Sequence, residues 1–185
     1  MYEAYIGLDL SASPKRKSAY AVLSEDLRCR AALFRGDEEL LSVARNYRHA
    51  LVAIDAPLSL PVSGSLRGCE KALAKLGIRA FPPALPGMRQ LAERAISLSE
   101  KLREQGLRVV EVYPGGAQDV LGLPRKKNPE GLLKGLLSLG MVLEAQTING
   151  DILDAATAAY TAWSYAHGKY IMIRTGDCEL ILPAP

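Results

Sequence analysis

The chain has 185 residues, room for one domain or one domain with an insertion, and enough to bury a substantial core. Its 49% hydrophobic and 23% charged residues are ordinary globular values and exclude collagenous, coiled-coil and broadly disordered classes. The formal charge of +3 permits a polyanionic partner without requiring one. No run approaches the roughly 18 apolar residues of a membrane span, and the N-terminus lacks a basic-then-apolar leader. A cytoplasmic chain without a membrane partner is therefore expected. Cys29, Cys69 and Cys178 are widely separated and show no Cys-x-x-Cys spacing, so reduced thiols are expected. His49 and His167 read as surface residues at helix ends.

Residues 3–10 form an apolar strand that ends on Asp9 and a Ser-Ala-Ser-Pro turn. Ser18–Leu23 and Arg28–Phe34 come after short connections, and such spacing makes the three strands antiparallel neighbours. A helix opens at Gly36-Asp37-Glu38-Glu39 and runs to about Tyr47, its acids suited to the positive helix N-terminus. Leu51–Asp55 is a fourth strand, again apolar and again ending on Asp, and the helical crossover makes it parallel to one already in place. Residues 56–86 are Pro-rich and irregular, with a short helix from Cys69 to Leu76, and read as a functional insertion in a single domain spanning 1–185. Met88–Gln105 has the periodicity of a long amphipathic helix, and Arg108–Tyr113 is a fifth strand closed by Pro114-Gly115-Gly116. A polar loop carries Arg125, Lys126 and Lys127. Helices then run from Pro129 to about Leu139 and from Asp151 to about Ala166, and Tyr170–Leu182 forms a hairpin turning at Thr175-Gly176-Asp177. The order predicts an α/β fold: a mixed sheet in which an antiparallel meander is extended by parallel strands and covered by helices.

Asp9 and Asp55 each close an apolar strand, and if those strands are adjacent and parallel the two carboxylates emerge at one sheet edge. Asp151 and Asp154 share a face at the start of a helix. Four converging acids would raise one another's pKa or recruit a hard cation such as Mg²⁺ or Mn²⁺, which takes oxygen ligands and supports phosphodiester cleavage. Each acid also has a bland reading. Asp9 and Asp55 suit turns, and Asp151 suits a helix N-terminal cap. Asp154, followed by Ala155-Ala156 on the expected sheet-facing side, is the hardest to explain structurally.

This arrangement of elements and acids resembles the ribonuclease H-like superfamily. Asp151-Ile152-Leu153-Asp154-Ala155 resembles the Asp-x-x-Asp-Ala helix of the bacterial Holliday-junction resolvases. More closely, the chain is similar to a widespread family described as predicted RNase H-like nucleases. The matching pieces are Gly7-Leu8-Asp9-Leu10-Ser11, Ile54-Asp55-Ala56-Pro57-Leu58, Arg67-Gly68-Cys69-Glu70, Glu111-Val112-Tyr113-Pro114 and the Asp151 helix. The resemblance implies a five-stranded sheet with the first strand central, strands two and three on one side and four and five on the other. It also draws attention to Arg67 as a phosphate clamp and to Glu111 as a metal ligand or a loop anchor. The resolvases generally carry Glu where this chain has Asp55.

Together these readings point to a Mg²⁺- or Mn²⁺-dependent nuclease. Asp9, Asp55 and Asp154, with Glu111, would hold metal, Asp151 would complete a second site, and Ser11, Arg67, Lys126 and Lys127 would hold nucleic-acid phosphates. DNA and RNA stay equally open as partners. Junction resolvases act as dimers, and an exposed helix or edge strand could pair two copies here. The alternative is a non-catalytic nucleic-acid-binding or interaction module on the same fold. A likeness of Gly7-Leu8-Asp9-Leu10-Ser11 to the phosphate loop of sugar kinases and actin-like ATPases is set aside, because such enzymes need two domains.

Overall fold

In the computed structural model, which describes residues 2–185, strands β1 (Ala4–Asp9) and β4 (Ala50–Asp55) are buried at every position but the last. That is the signature of parallel neighbours covered on both faces. β1 runs parallel to β4 and antiparallel to β2 (Ser18–Leu23), and β2 pairs antiparallel with β3 (Arg28–Phe34). β5 (Arg108–Val112) lies parallel to β4. The order β3-β2-β1-β4-β5 is the one the ribonuclease H-like resemblance implies.

The sheet is larger than the expected five strands. β6 (Val142–Ala145) adds in parallel outside β3. The C-terminal hairpin, β7 (Tyr170–Arg174) and β8 (Glu179–Pro183), joins the other side through β8 and β5, making eight strands among the described residues. β6 has little signature in the sequence because it is a four-residue edge strand, half exposed and carrying Glu144, with no apolar run to mark it. A short helix, α4 (Pro114–Val120), stands where the sequence predicts a loop. Pro114 opens it at a position where a missing N–H costs nothing, so the Pro-Gly-Gly stretch starts a helix instead of a turn.

Alternation divides the core into two layers. Tyr5, Leu51, Ala53, Val110 and Val112 face α6 (Gly150–Ala166). Ile6, Leu8, Val52, Ile54 and Val109 face α1 (Asp37–Ala44) and α3 (Pro86–Glu104). α6 lies unusually close to β1. Ala155, Ala156, Ala158, Ala159 and Ala162 are fully buried, and a Cβ at Gly7 would stand 2.1 Å from the Ala155 carbonyl oxygen and 2.2 Å from the Ala159 nitrogen. Both obstacles are helix backbone and cannot turn aside.

The cysteine expectation is corrected: Cys69, in α2 (Gly68–Lys75), is disulfide-bonded to Cys178, and the buried Cys29 alone is free among the described cysteines. The pair is 109 residues apart in sequence but has Cα atoms 6.0 Å apart. Only the docking of the hairpin beside α2 brings the two together. Around the bond, Gly68 N–H donates to Asp177 Oδ1 at 2.9 Å and Ser59 Oγ donates to the Asp177 carbonyl at 2.6 Å, tying the hairpin turn to the Pro-rich segment. No helix is long and apolar enough to cross a membrane among the described residues.

Both contacts can be tested through stability. Gly7→Ala should cost about 3 kcal/mol or more, because backbone must shift to admit one methyl group. A thermal midpoint close to that of the native chain would refute the close contact. Replacing Cys69 and Cys178 together by Ser should lower stability by about 2–5 kcal/mol, and a reducing agent should destabilise the native chain without affecting the double variant.

Candidate functional site

Register sets the site. Asp9 and Asp55 are paired positions of the parallel strands β1 and β4, so their Cα atoms stand abreast about 4.8 Å apart. Both stand two residues beyond positions that face α6, so both carboxylates project on the α6 side of the sheet's carboxyl edge. The close seating of α6 brings Asp154, 5% exposed, over the same edge. The cap of α6 is Asn149, whose Oδ1 accepts the Ile152 N–H at 2.9 Å, so Asp151 is an exposed first-turn acid and not the cap.

The side chain at the middle of this cluster is Lys126. Its Nζ lies 2.9 Å from Asp154 Oδ2, 3.4 Å from Asp151 Oδ1 and 3.5 Å from Asp9 Oδ2. Asp154 Oδ1 accepts a 2.7 Å hydrogen bond from Gln118 Nε2 of α4, a fully buried amide. Asp154 is thereby held from two sides. Gln118 is not legible in the sequence: a lone Gln after Pro-Gly-Gly-Ala has no spacing that marks it, and only α4 points it at α6.

Burial dominates the electrostatics. It pushes the Asp9 pKa up from 3.8 to about 7; the Lys126 ammonium opposes the rise, and the charges of Asp154 and Asp151 add to it. Asp55 is raised well above the carboxylate range, by burial first and then by Asp9 and Asp154. Burial also works against the charge of Lys126, but Asp9 and Asp154 outweigh it and hold the ammonium protonated.

The structure brings Asp9, Asp55, Asp151, Asp154 and Lys126 together. It places Glu111 and Arg67 elsewhere. Glu111 sits opposite Ile54 in the β4–β5 register and therefore on the α3 face, across the sheet from the acid cluster. Its carboxylate accepts Arg67 at 2.6 and 2.8 Å and the Leu58 N–H at 2.7 Å. Arg67 is 1% exposed, and it also binds Glu70 at 2.6 Å and Ser59 Oγ at 3.0 Å. A guanidinium so enclosed does not present itself to a phosphate, and a carboxylate so paired is not directed at the acid cluster. The pair instead anchors the Pro-rich segment to β5. Ser11 is engaged in its own turn: its Oγ donates to the Ser13 carbonyl at 2.8 Å, and its carbonyl accepts Arg94 at 2.6 Å. Lys127 is exposed beside Lys126.

The acid cluster is suited in chemistry to a hard cation. Its donors are all carboxylate oxygens, and Asp9 Oδ2 is buried with no hydrogen-bond donor. As they stand, no three acidic, histidine or cysteine side chains among the described residues are placed to hold a metal ion together; the Lys126 ammonium lies among Asp9, Asp151 and Asp154.

The family model described as "Protein of unknown function (DUF429)" matches residues 7–177, from the glycine under α6 to the hairpin turn. The chain belongs to that family. No curated protein matches it. Among solved structures it is similar to Thermus thermophilus RuvC in complex with Holliday junction substrate, at 12% identity and TM-score 0.47, covering 89% of this chain and 96% of that one. A second structure of Thermus thermophilus RuvC matches at 12% identity and TM-score 0.44 over the same shares of the two chains.

The site makes a pH prediction. Between pH 3.8 and about 7 the folded chain keeps a proton on Asp9 that the unfolded chain has released. Rising pH therefore favours unfolding across that window, and the loss is complete above it. Asp9→Asn should raise the thermal midpoint above that window, leave it nearly unchanged at the acid end, and flatten the profile between. An unaltered slope in the variant would show that Asp9 is not desolvated in the fold.

Proposed function

We propose that this protein is a divalent-metal-dependent nuclease that hydrolyses phosphodiester bonds of nucleic acid. One observation carries the reading: Asp9, Asp55, Asp151 and Asp154 converge at the carboxyl edge of two parallel central strands, where open α/β sheets bind their ligands. Asp9, Asp55 and Asp154 would hold the metal, with Asp151 at the solvent rim. Mg²⁺ or Mn²⁺ bound there would lower the pKa of a water and stabilise charge on the phosphate oxygens.

The remaining work falls to the chain itself. Gln118 fixes one Asp154 oxygen through its amide and leaves the other turned to the site. The short connection to β2 carries Lys15, Arg16 and Lys17, all exposed beside the Asp9 edge, where they can meet a phosphate backbone. Phosphate contacts of this kind carry no preference between DNA and RNA, so both belong in the assay.

A second reading, a nucleic-acid-binding module without catalysis, draws on Lys126, which already neutralises part of the acid cluster. The two readings separate in one experiment. Purified protein is incubated with single-stranded, duplex and branched DNA and RNA in Mg²⁺, in Mn²⁺ and in a chelator. Nuclease activity should require the metal, and Asp9→Asn and Asp154→Asn should each lower it by about a thousandfold, the scale of losing several kcal/mol of transition-state stabilisation. Binding without cleavage, equal in the native chain and both variants, would establish the second reading instead.

A further inference from the structure

We propose that Lys126 is the resident cation of the acid cluster, and that a divalent ion enters by exchanging with its ammonium group. The inference rests on the metal-dependent reading of the site and adds the device that controls its occupancy.

The ammonium is where a metal's charge would be. It is shared among Asp9, Asp151 and Asp154, which come from a strand end and from two positions of the first turns of α6. Only the contact to Asp154 has the length of a strong charge-assisted hydrogen bond; those at 3.4 and 3.5 Å are loose. Asp9 Oδ2 lies in reach of the ammonium yet receives no hydrogen bond from it. One positive charge also leaves three contacting carboxylates undercompensated, and a divalent ion would meet that deficit better.

The mounting allows exchange. The Lys126 side chain is 46% exposed, so it borders solvent. Its backbone, by contrast, is held on both sides. Arg125 donates to Asp119 Oδ1 at 2.9 Å and to the Tyr113 hydroxyl at 2.9 Å, and Asn128 caps α5 (Pro129–Ser138) by accepting the Gly131 N–H at 3.0 Å. At Gly150 a Cβ would stand 3.1 Å from the Lys126 Cβ, so the glycine leaves the lysine stem room at the mouth of the site. A fixed base under a long flexible stem lets the ammonium leave by side-chain rotation alone.

The test titrates Mn²⁺ into the full chain by calorimetry, for the native protein, Lys126→Met and Lys126→Arg. In parallel, lysine amines are chemically labelled with and without saturating Mn²⁺ and read by mass spectrometry. Lys126→Met should bind Mn²⁺ about tenfold tighter, the factor expected when an internal competitor occupying the site some nine-tenths of the time is removed. Lys126→Arg, which keeps the competing charge, should bind no tighter than the native chain. Labelling of Lys126 should rise with Mn²⁺ while that of Lys127 stays constant. Mn²⁺ binding with unchanged Lys126 labelling would mean that lysine and metal coexist, and would overturn the exchange while leaving the nuclease reading intact. Absence of Mn²⁺ binding by all three chains would overturn both. Should Lys126→Met fail to fold by thermal melt, the labelling of the native chain decides alone.

Discussion

The contact between Gly7 and the backbone of α6 governs where everything else at the carboxyl edge can be. A helix laid on a sheet normally stands off by the length of the side chains between them, about 10 Å for stacked layers. Here a glycine in the central strand and an alanine-rich helix face remove those side chains, and α6 descends until its peptide groups nearly touch β1. The consequence is chemical as well as steric. A carboxylate as short as that of Asp154 can reach the end of β1 only if the helix carrying it is this close. The alanines that make α6 look like a packing helix in the sequence are thus the reason its acids can act together with Asp9.

Two cation-centred networks in the same molecule show opposite solutions to buried charge. Arg67 is closed in: 1% exposed, with two carboxylates each held at 2.6 Å and a hydroxyl at 3.0 Å. The guanidinium's planar fork suits that role, and an enclosure that engages its donors holds its parts in one arrangement. Lys126 is the open case, with one short contact, two long ones and a half-exposed side chain. An ammonium offers a point charge without directional constraint, and it gives up less when it leaves. The first network fastens the Pro-rich segment to β5, and the second leaves its acids exchangeable. That contrast is what separates a structural ion cluster from a candidate site when both contain several carboxylates.

Much of this is legible in the sequence, and the exceptions have physical causes. A helical crossover makes β4 parallel to a strand already in place, so Asp9 and Asp55 can be linked in advance on the condition that β4 lies beside β1, and the structure supplies that adjacency. The same alternation rule, carried one strand further, puts Glu111 on the α3 face, since its register partner is Ile54 and not Asp55. That conclusion needs the register, which residue patterns in single strands do not fix. The Cys69–Cys178 bond is out of reach for a related reason: it depends on a hairpin packing beside α2 across 109 residues, and spacing carries no trace of it. A basic loop normally faces solvent, which is why Lys126 reads as a phosphate contact in the sequence. Its true neighbours are set by Arg125, whose grip on Asp119 and Tyr113 turns the loop inward.

Asp55 shows how far the cluster's chemistry is decided by reach. Asp55 lies outside the ion pairs among the described residues: Lys126 contacts Asp9, Asp151 and Asp154 but not Asp55. Burial raises the proton affinity of Asp55, the charges of Asp9 and Asp154 add to the rise, and the Lys126 ammonium opposes it. A carboxyl that keeps its proton next to one that shares an ammonium avoids placing two bare charges abreast on adjacent strands. A divalent ion, with twice the charge of the ammonium, would oppose that rise more strongly at both acids at once.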